Sequence, residues 1–155
     1  MQDGLTTTHE WFEKAVPNPT PMNQSVQLGV HFEEIAEMGD LLLKLRSDPF
    51  TEALLLAFVN NAKDLAQVFK RSESGVDFNA MTEDQRIELL DSLLDQIVTA
   101  TGTGYMNRMD IPNGLDEVNR ANYSKFDEEG NPIFDENGKV KKGPRYVKPS
   151  LDGFV

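Results

Sequence analysis

Helical periodicity constrains this 155-residue chain more than any other feature of its sequence. Apolar side chains recur every three or four residues in three long segments, and strand-like alternation is almost absent before residue 126. The segments run from about Asn23 to Arg46, from Asp48 to about Arg71, and from Thr82 to about Met109. The pattern predicts an all-α fold, a helical bundle in one domain that covers residues 1–155.

Two shorter helices complete the expected bundle. A first helix is predicted from the threonines at 6–8, one of which would cap it, to about Ala15, where the prolines at 17, 19 and 21 end it. A last helix is predicted from about Gly114 to Phe126. Asp48 with Pro49, and Thr82 with Gln85, are typical helix starts.

Residues 127–155 differ from the rest and are expected to form an extended tail. Asn137-Gly138 lies between PIFDE and KVKK, which is the usual signal for a tight hairpin. Prolines at 144 and 149 keep the following chain extended.

Composition excludes several classes of function. The chain has no cysteine, so disulfides, thiolate zinc sites and cysteine nucleophiles are excluded, and a reducing cytoplasm is expected. The net charge of −11 argues against nucleic-acid binding, which needs a basic surface. The longest apolar run, residues 53–59, is too short for a membrane span, and the N-terminus does not resemble a signal peptide.

The segment HFEEIAEMGD, residues 31–40, carries a dense group of carboxylates. Glu34 and Glu37 share one face of the predicted helix, and Glu33 lies beside them. Like charges at this spacing repel each other unless a cation compensates. The apolar neighbours indicate a packed helix, on which carboxylates are not expected to be wholly free in solvent. Clustered hard oxygen ligands suit Mg²⁺ or Mn²⁺.

A second acidic stripe lies in IELLDSLLDQIV, where Glu88, Asp91 and Asp95 follow one face of an otherwise apolar helix. If the two acidic helices pack antiparallel, four or five carboxylates meet inside the bundle. That arrangement destabilises a fold unless divalent ions are present, because like charges at short range oppose ionisation. For either stripe alone, a solvated charged face is the simpler interpretation.

Glu33-Glu34-x-x-Glu37 followed by Glu88-x-x-Asp91 resembles the EExxE…ExxD signature of the MazG-like, all-α NTP pyrophosphatase superfamily. That superfamily also holds phosphoribosyl-ATP pyrophosphohydrolases and dimeric dUTPases. The chain is most similar to phage-type members, over roughly residues 25–46 and 82–150. The segments that carry this similarity are VQLGVHFEEIAEM, LLDSLLDQIVTATGTGYM, GLDEVNRANYSKFDEEGNPIFDENGK and KGPRYVKP.

The resemblance implies a chain-crossing four-helix arrangement that forms a homodimer or homotetramer. It implies catalytic roles for Glu33, Glu34 and Glu37, with Glu34 and Glu37 also ligating metal. The second metal-binding pair is Glu88/Asp91 or Asp91/Asp95. Both stay open because the gap between the motifs is longer than in the shortest family members and Asp95 adds a third acid.

The implied reaction is hydrolysis of a nucleoside triphosphate at its α–β linkage. Bound metal would bridge phosphate oxygens and acidify a water, and Glu33 is the candidate to take the proton. Asn122 and Lys125 match the family's N-x-x-K element. The set of substrate-binding candidates is Asn122, Lys125, Lys139, Lys142 and Tyr146. Trp11 is expected in the core or at a subunit contact rather than against a base.

The expected function is therefore conversion of a (d)NTP to the monophosphate and pyrophosphate. One specific substrate would be a purine nucleotide such as dGTP. If the chain is encoded by a phage, the expected location is the cytoplasm of the host. Two alternatives stay open. One keeps the fold but acts on phosphoribosyl-ATP. The other is a non-catalytic acidic interaction protein that binds a basic surface.

Overall fold

The computed structural model describes residues 3–136 and 138–155. Regular structure within them is helical, which confirms the predicted all-α fold. The α-helices are α1 (Gly4–Ala15), α2 (Pro21–Leu42), α3 (Pro49–Lys70), α4 (Glu83–Met106) and α5 (Ile111–Tyr123), with 3₁₀ turns at Phe78–Ala80 and Asp152–Phe154.

These residues form two compact units. The central unit is Pro19–Met81, and the flanking unit consists of the residues up to Asn18 and from Thr82 onwards.

Two helix starts are confirmed in detail. The Asp48 carboxylate accepts hydrogen bonds from the amides of Phe50 and Thr51 at the start of α3. At the start of α4, Thr82 and Gln85 each accept a bond from the other's backbone amide, the reciprocal pattern of a capping box. α4 then continues across Gly102 and Gly104.

The predicted bounds of α2 are wrong at both ends. The helix begins at Pro21 rather than Asn23, because Thr20 caps it and a proline with fixed φ suits the first turn. It ends at Leu42 rather than Arg46, since the amides of residues 44 and 45 bond three residues back and tighten the chain into turns.

The outer helices also differ from prediction. Asp3, not a threonine, caps α1 through bonds from two backbone amides. α5 begins at Ile111 because Asp110 caps it and Pro112 fits its first turn. Tight turns replace the expected last residues up to Phe126.

In the central unit, α2 and α3 pack antiparallel through small residues. The buried residues of α2 are Ser25, Gly29, Ala36 and Gly39, and those of α3 are Val59, Ala62, Ala66 and Phe69. The Ser25 hydroxyl donates to the Phe69 carbonyl at 2.7 Å. A Cβ at position 29 would lie 2.7 Å from the Lys70 amide nitrogen and 2.8 Å from the Ala66 carbonyl oxygen. Glycine at 29 therefore permits the close approach of the two backbones.

In the flanking unit, α1 packs on α5 and on the residues that follow it. The Trp11 ring stacks on Phe126, with centroids 5.7 Å apart, and both are buried beside Ala15. The buried Asn119 side chain donates to the Gly4 carbonyl at 2.7 Å and accepts from Thr8 at 2.9 Å. Packing and hydrogen bonds thus both hold α1 in place.

α4 shows little burial. Every residue from Thr82 to Thr101 is exposed, including six apolar side chains that its periodicity predicts to be in a core. These are Ile87, Leu90, Leu93, Leu94, Ile97 and Val98. Gly104 is the buried residue of α4, next to the Ile111 side chain of α5. The expected burial of the α4 stripe is therefore not seen within this chain.

The tail turns back on itself where the hairpin is predicted. Phe134 and Val140 form an antiparallel bridge, and the Asp135 amide donates to the Lys139 carbonyl at 2.9 Å. Gly138 has a φ of 74°, which glycine adopts without strain. Asn137 lies outside the described residues.

We expect Gly29→Ala to lower the free energy of unfolding by about 1–3 kcal/mol, because the added methyl overlaps backbone atoms of α3. Urea unfolding followed by circular dichroism measures the change. Gly102→Ala is the control, since a Cβ there meets nothing within 4 Å and alanine favours a helix by up to about 1 kcal/mol. Equal stability of Gly29→Ala and wild type would contradict the close packing.

Candidate functional site

The three glutamates of EExxE do not have equivalent surroundings. Glu33 Oε1 receives a hydrogen bond from Lys70 Nζ at 2.7 Å, and both side chains are partly buried. Further along α2, Asp40 pairs with Lys63 at 2.8 Å. Two lysines of α3 therefore compensate two carboxylates of α2, and at Glu33 the ion pair engages Oε1.

Glu34 and Glu37 are exposed on α2. Their carboxylates have no hydrogen-bond or ion-pair partner among the residues described. Their separation of three positions puts them one above the other on one face. The expectation that packing shields these groups from solvent is wrong, because α3 covers the side of α2 that carries Glu33 and Asp40.

The second acidic stripe belongs to the flanking unit. Glu88, Asp91 and Asp95 are all exposed on α4. Within the described chain their carboxylates are unpaired. The backbone carbonyl of Asp95 accepts from the Thr99 hydroxyl, which leaves its carboxylate unaffected. The choice between Glu88/Asp91 and Asp91/Asp95 thus stays open, since all three side chains are exposed and none has a partner among the described residues.

The described residues contain no group of three or more histidine, aspartate or glutamate side chains placed to hold a metal ion. Magnesium, however, keeps several waters and is usually bound by one or two carboxylates together with substrate phosphates. Exposed, unpaired Glu34 and Glu37 fit that kind of binding in donor type and spacing. The chemistry of the α2 pair therefore suits Mg²⁺ or Mn²⁺.

The predicted substrate-binding residues fall into local pairs in the flanking unit. Lys125 Nζ donates to Asn122 Oδ1 at 2.7 Å and also lies 5.6 Å from the Trp11 ring centroid. Lys142 Nζ lies 4.8 Å from the ring centroid of Tyr146. The Gly143 amide donates to the Lys125 carbonyl, so the two pairs are joined through the backbone.

Lys139 is the exception among these candidates. It is exposed beside the hairpin turn, where its backbone amide donates to Asp135 Oδ1 at 2.9 Å. Trp11 is buried against Phe126, which places its ring in the core of the flanking unit and away from a base-stacking role.

A polar contact fixes the KGPRY tail to α5. Arg120 makes two hydrogen bonds of 2.7 Å to the Glu117 carboxylate, and the Ser150 amide donates to the same carboxylate at 2.8 Å. The Arg120 hydrogen bonds, followed by that from Ser150, lower the pKa of Glu117 from 4.5 to about 2. Glu117 therefore connects the helix to the end of the tail.

The sequence did not lead us to expect Lys63 and Lys70 as ion-pair partners of the α2 carboxylates. A signal was available, because Glu33 and Asp40 are seven residues apart on α2 and Lys63 and Lys70 are seven apart on α3. Equal spacing of opposite charges on two antiparallel helices permits two cross-helix ion pairs.

Comparison with known proteins finds no matching family model, no matching curated protein and no matching solved structure. Among the residues that the structure describes, no helix combines the length and apolar character needed to cross a membrane. The family resemblance consequently stays a prediction from the sequence motifs.

We expect Glu117→Gln to lower the melting temperature at neutral pH. Because the folded-state pKa of Glu117 is depressed, its stabilisation is present above about pH 4.5 and is lost as the pH falls towards about 2. The difference between wild type and variant should therefore close over that interval in thermal scans. Asp116→Asn, an exposed neighbour, is the control. A difference that does not change with pH would contradict the role given to Glu117.

Proposed function

We propose that the protein is a Mg²⁺- or Mn²⁺-dependent nucleoside triphosphate pyrophosphohydrolase, which converts a (d)NTP to the monophosphate and pyrophosphate. One observation carries the proposal beyond the sequence motif. Lysines compensate Glu33 and Asp40 on α2, whereas Glu34 and Glu37, the motif's metal ligands, are exposed and have no cationic partner in the described part of the chain. That pattern leaves the charge of these two groups available to a metal ion.

In the proposed mechanism, Glu34 and Glu37 would hold the metal ion on α2. On α4 the motif resemblance leaves Glu88, Asp91 and Asp95 as candidate ligands. A divalent ion held there would neutralise phosphate charge and lower the pKa of a water. Lys70 occupies Oε1 of Glu33, which leaves Oε2 to accept the proton of the attacking water.

Charge that develops on the leaving pyrophosphate requires cations. The candidates are Lys125, the lysine of the N-x-x-K element, together with Lys142 and Lys139. Asn122 holds Lys125 before substrate arrives, so the amide and the ammonium act as one element in substrate binding. Tyr146 orients Lys142 through its ring.

We also propose that the chain works as a homodimer or homotetramer. The support is α4, which exposes the six apolar side chains of its predicted stripe along its length. Contiguous apolar surface of this kind commonly marks a protein interface. A phage origin, the host cytoplasm and a purine substrate such as dGTP belong to the same proposal, and phosphoribosyl-ATP is the alternative substrate.

The test is hydrolysis of the common NTPs, dNTPs and phosphoribosyl-ATP with Mg²⁺ or Mn²⁺, with pyrophosphate and orthophosphate measured separately. We expect pyrophosphate from one or a few substrates and a loss of about 100-fold or more in Glu37→Gln, because a metal ligand is removed. Asp64→Asn is the control, an exposed acid on α3 that should leave the rate unchanged. Folded protein that hydrolyses none of the panel with metal present would refute the proposal.

A non-catalytic acidic interaction protein is the second candidate, and the exposure of all five proposed ligands favours it. Thermal melting separates the two. A metal site raises the melting temperature when Mn²⁺ is added, and the increase disappears in Glu37→Gln. Carboxylates that only cover a binding surface give no such difference between wild type and variant.

A further inference from the structure

We propose that Lys70 is a positioning residue that keeps Glu33 out of the metal ligand set, so that Glu34 and Glu37 are the only ligands that α2 provides. The inference rests on the proposed metal-dependent function. It gives a physical cause, the Lys70 ion pair, for the division of roles that the resemblance implies among these three glutamates.

The geometry begins one turn before Glu33. Gly29 has no side chain, and the stem of Lys70 occupies the space that a side chain would fill, with Lys70 Cγ 2.7 Å from the position of a Cβ. From there the ammonium reaches Glu33, the next residue on the same face of α2, at 2.7 Å. The Lys70 side chain therefore lies along the surface of α2 and ends at the Glu33 carboxylate.

The backbone of Lys70 is also fixed. It is the last residue of α3, and the preceding carbonyl, that of Phe69, accepts the buried hydrogen bond from Ser25. The Lys70 side chain is only 24% exposed, so the ammonium has few other positions. The pairing is thus part of the α2–α3 packing rather than a loose surface contact.

Helix geometry separates Glu33 from its neighbours. Adjacent residues on a helix do not face each other, whereas residues three or four apart do. Glu33 faces α3 and Lys70, and Glu34 faces solvent with Glu37. To recruit Glu33, a metal ion would have to bind next to the partly buried ammonium of Lys70. Like-charge repulsion opposes that step.

The test measures the dissociation constant of Mn²⁺ without nucleotide, by titration against the electron paramagnetic resonance signal of free Mn²⁺. Lys70→Met should tighten binding by about fivefold, because it releases a carboxylate next to the site. Lys70→Arg keeps the cation and should match wild type. Lys63→Met is the matched control, since it breaks the equivalent pair two turns away, and it should tighten binding less than Lys70→Met does.

The double variant Glu33→Gln/Lys70→Met decides the question. This variant removes both charges of the Glu33–Lys70 ion pair and leaves the net charge unchanged, so the dissociation constant for Mn²⁺ should stay within about twofold of wild type. If the double variant loses Mn²⁺ binding as Glu37→Gln does, Glu33 is a ligand and the inference is overturned. Equal tightening in Lys63→Met and Lys70→Met also overturns it, because net charge alone would then explain the change.

Metal binding and hydrolysis are separate readouts. Wild type that binds Mn²⁺ but hydrolyses no nucleotide refutes the proposed function, and the variants still decide the role of Lys70. Wild type that does not bind Mn²⁺, or a Glu37→Gln variant that binds it equally well, overturns both. Circular dichroism of each variant confirms that it is folded.

Discussion

The close approach of α2 and α3 at Gly29 determines much of the central unit. Only a residue without a side chain lets the α3 backbone lie within van der Waals distance at this point. Ser25 and Glu33, one turn to either side, then reach the end of α3 with a hydroxyl and a carboxylate. Packing of small residues therefore fixes where the lysines of α3 lie. The positions of these lysines determine which acids of α2 are paired.

Local signals in the sequence predicted most of the fold. Periodicity located the long helices, and Asp48 and Thr82 marked helix starts because capping involves residues two or three positions away. The start of α2 was missed because three prolines were interpreted only as the end of α1, although Thr20 converts Pro21 into a first-turn residue. The different surroundings of Glu33 and Glu34 could not be predicted from α2 alone, since they depend on which side α3 covers.

The acidic residues of α4 show the limit of reasoning from a pattern. Their alternation with leucines predicted carboxylates in a packed core, but in the single chain both the leucines and the acids are exposed. Unpaired carboxylates are stable in water because solvent compensates each charge. The same sequence therefore suits a helix whose surroundings are completed by something outside the chain, such as another copy or a ligand.

The order of the units along the chain has a consequence for synthesis. The flanking unit brings α1 against α5, yet the whole of the central unit is encoded between them. At roughly 5–20 residues per second, the ribosome adds α5 several seconds after α1. During that interval Trp11 has no Phe126 to stack on, while α2 and α3 already have each other. The central unit can thus form during translation, and α1 remains exposed to chaperones and proteases until α5 and Phe126 have been synthesised.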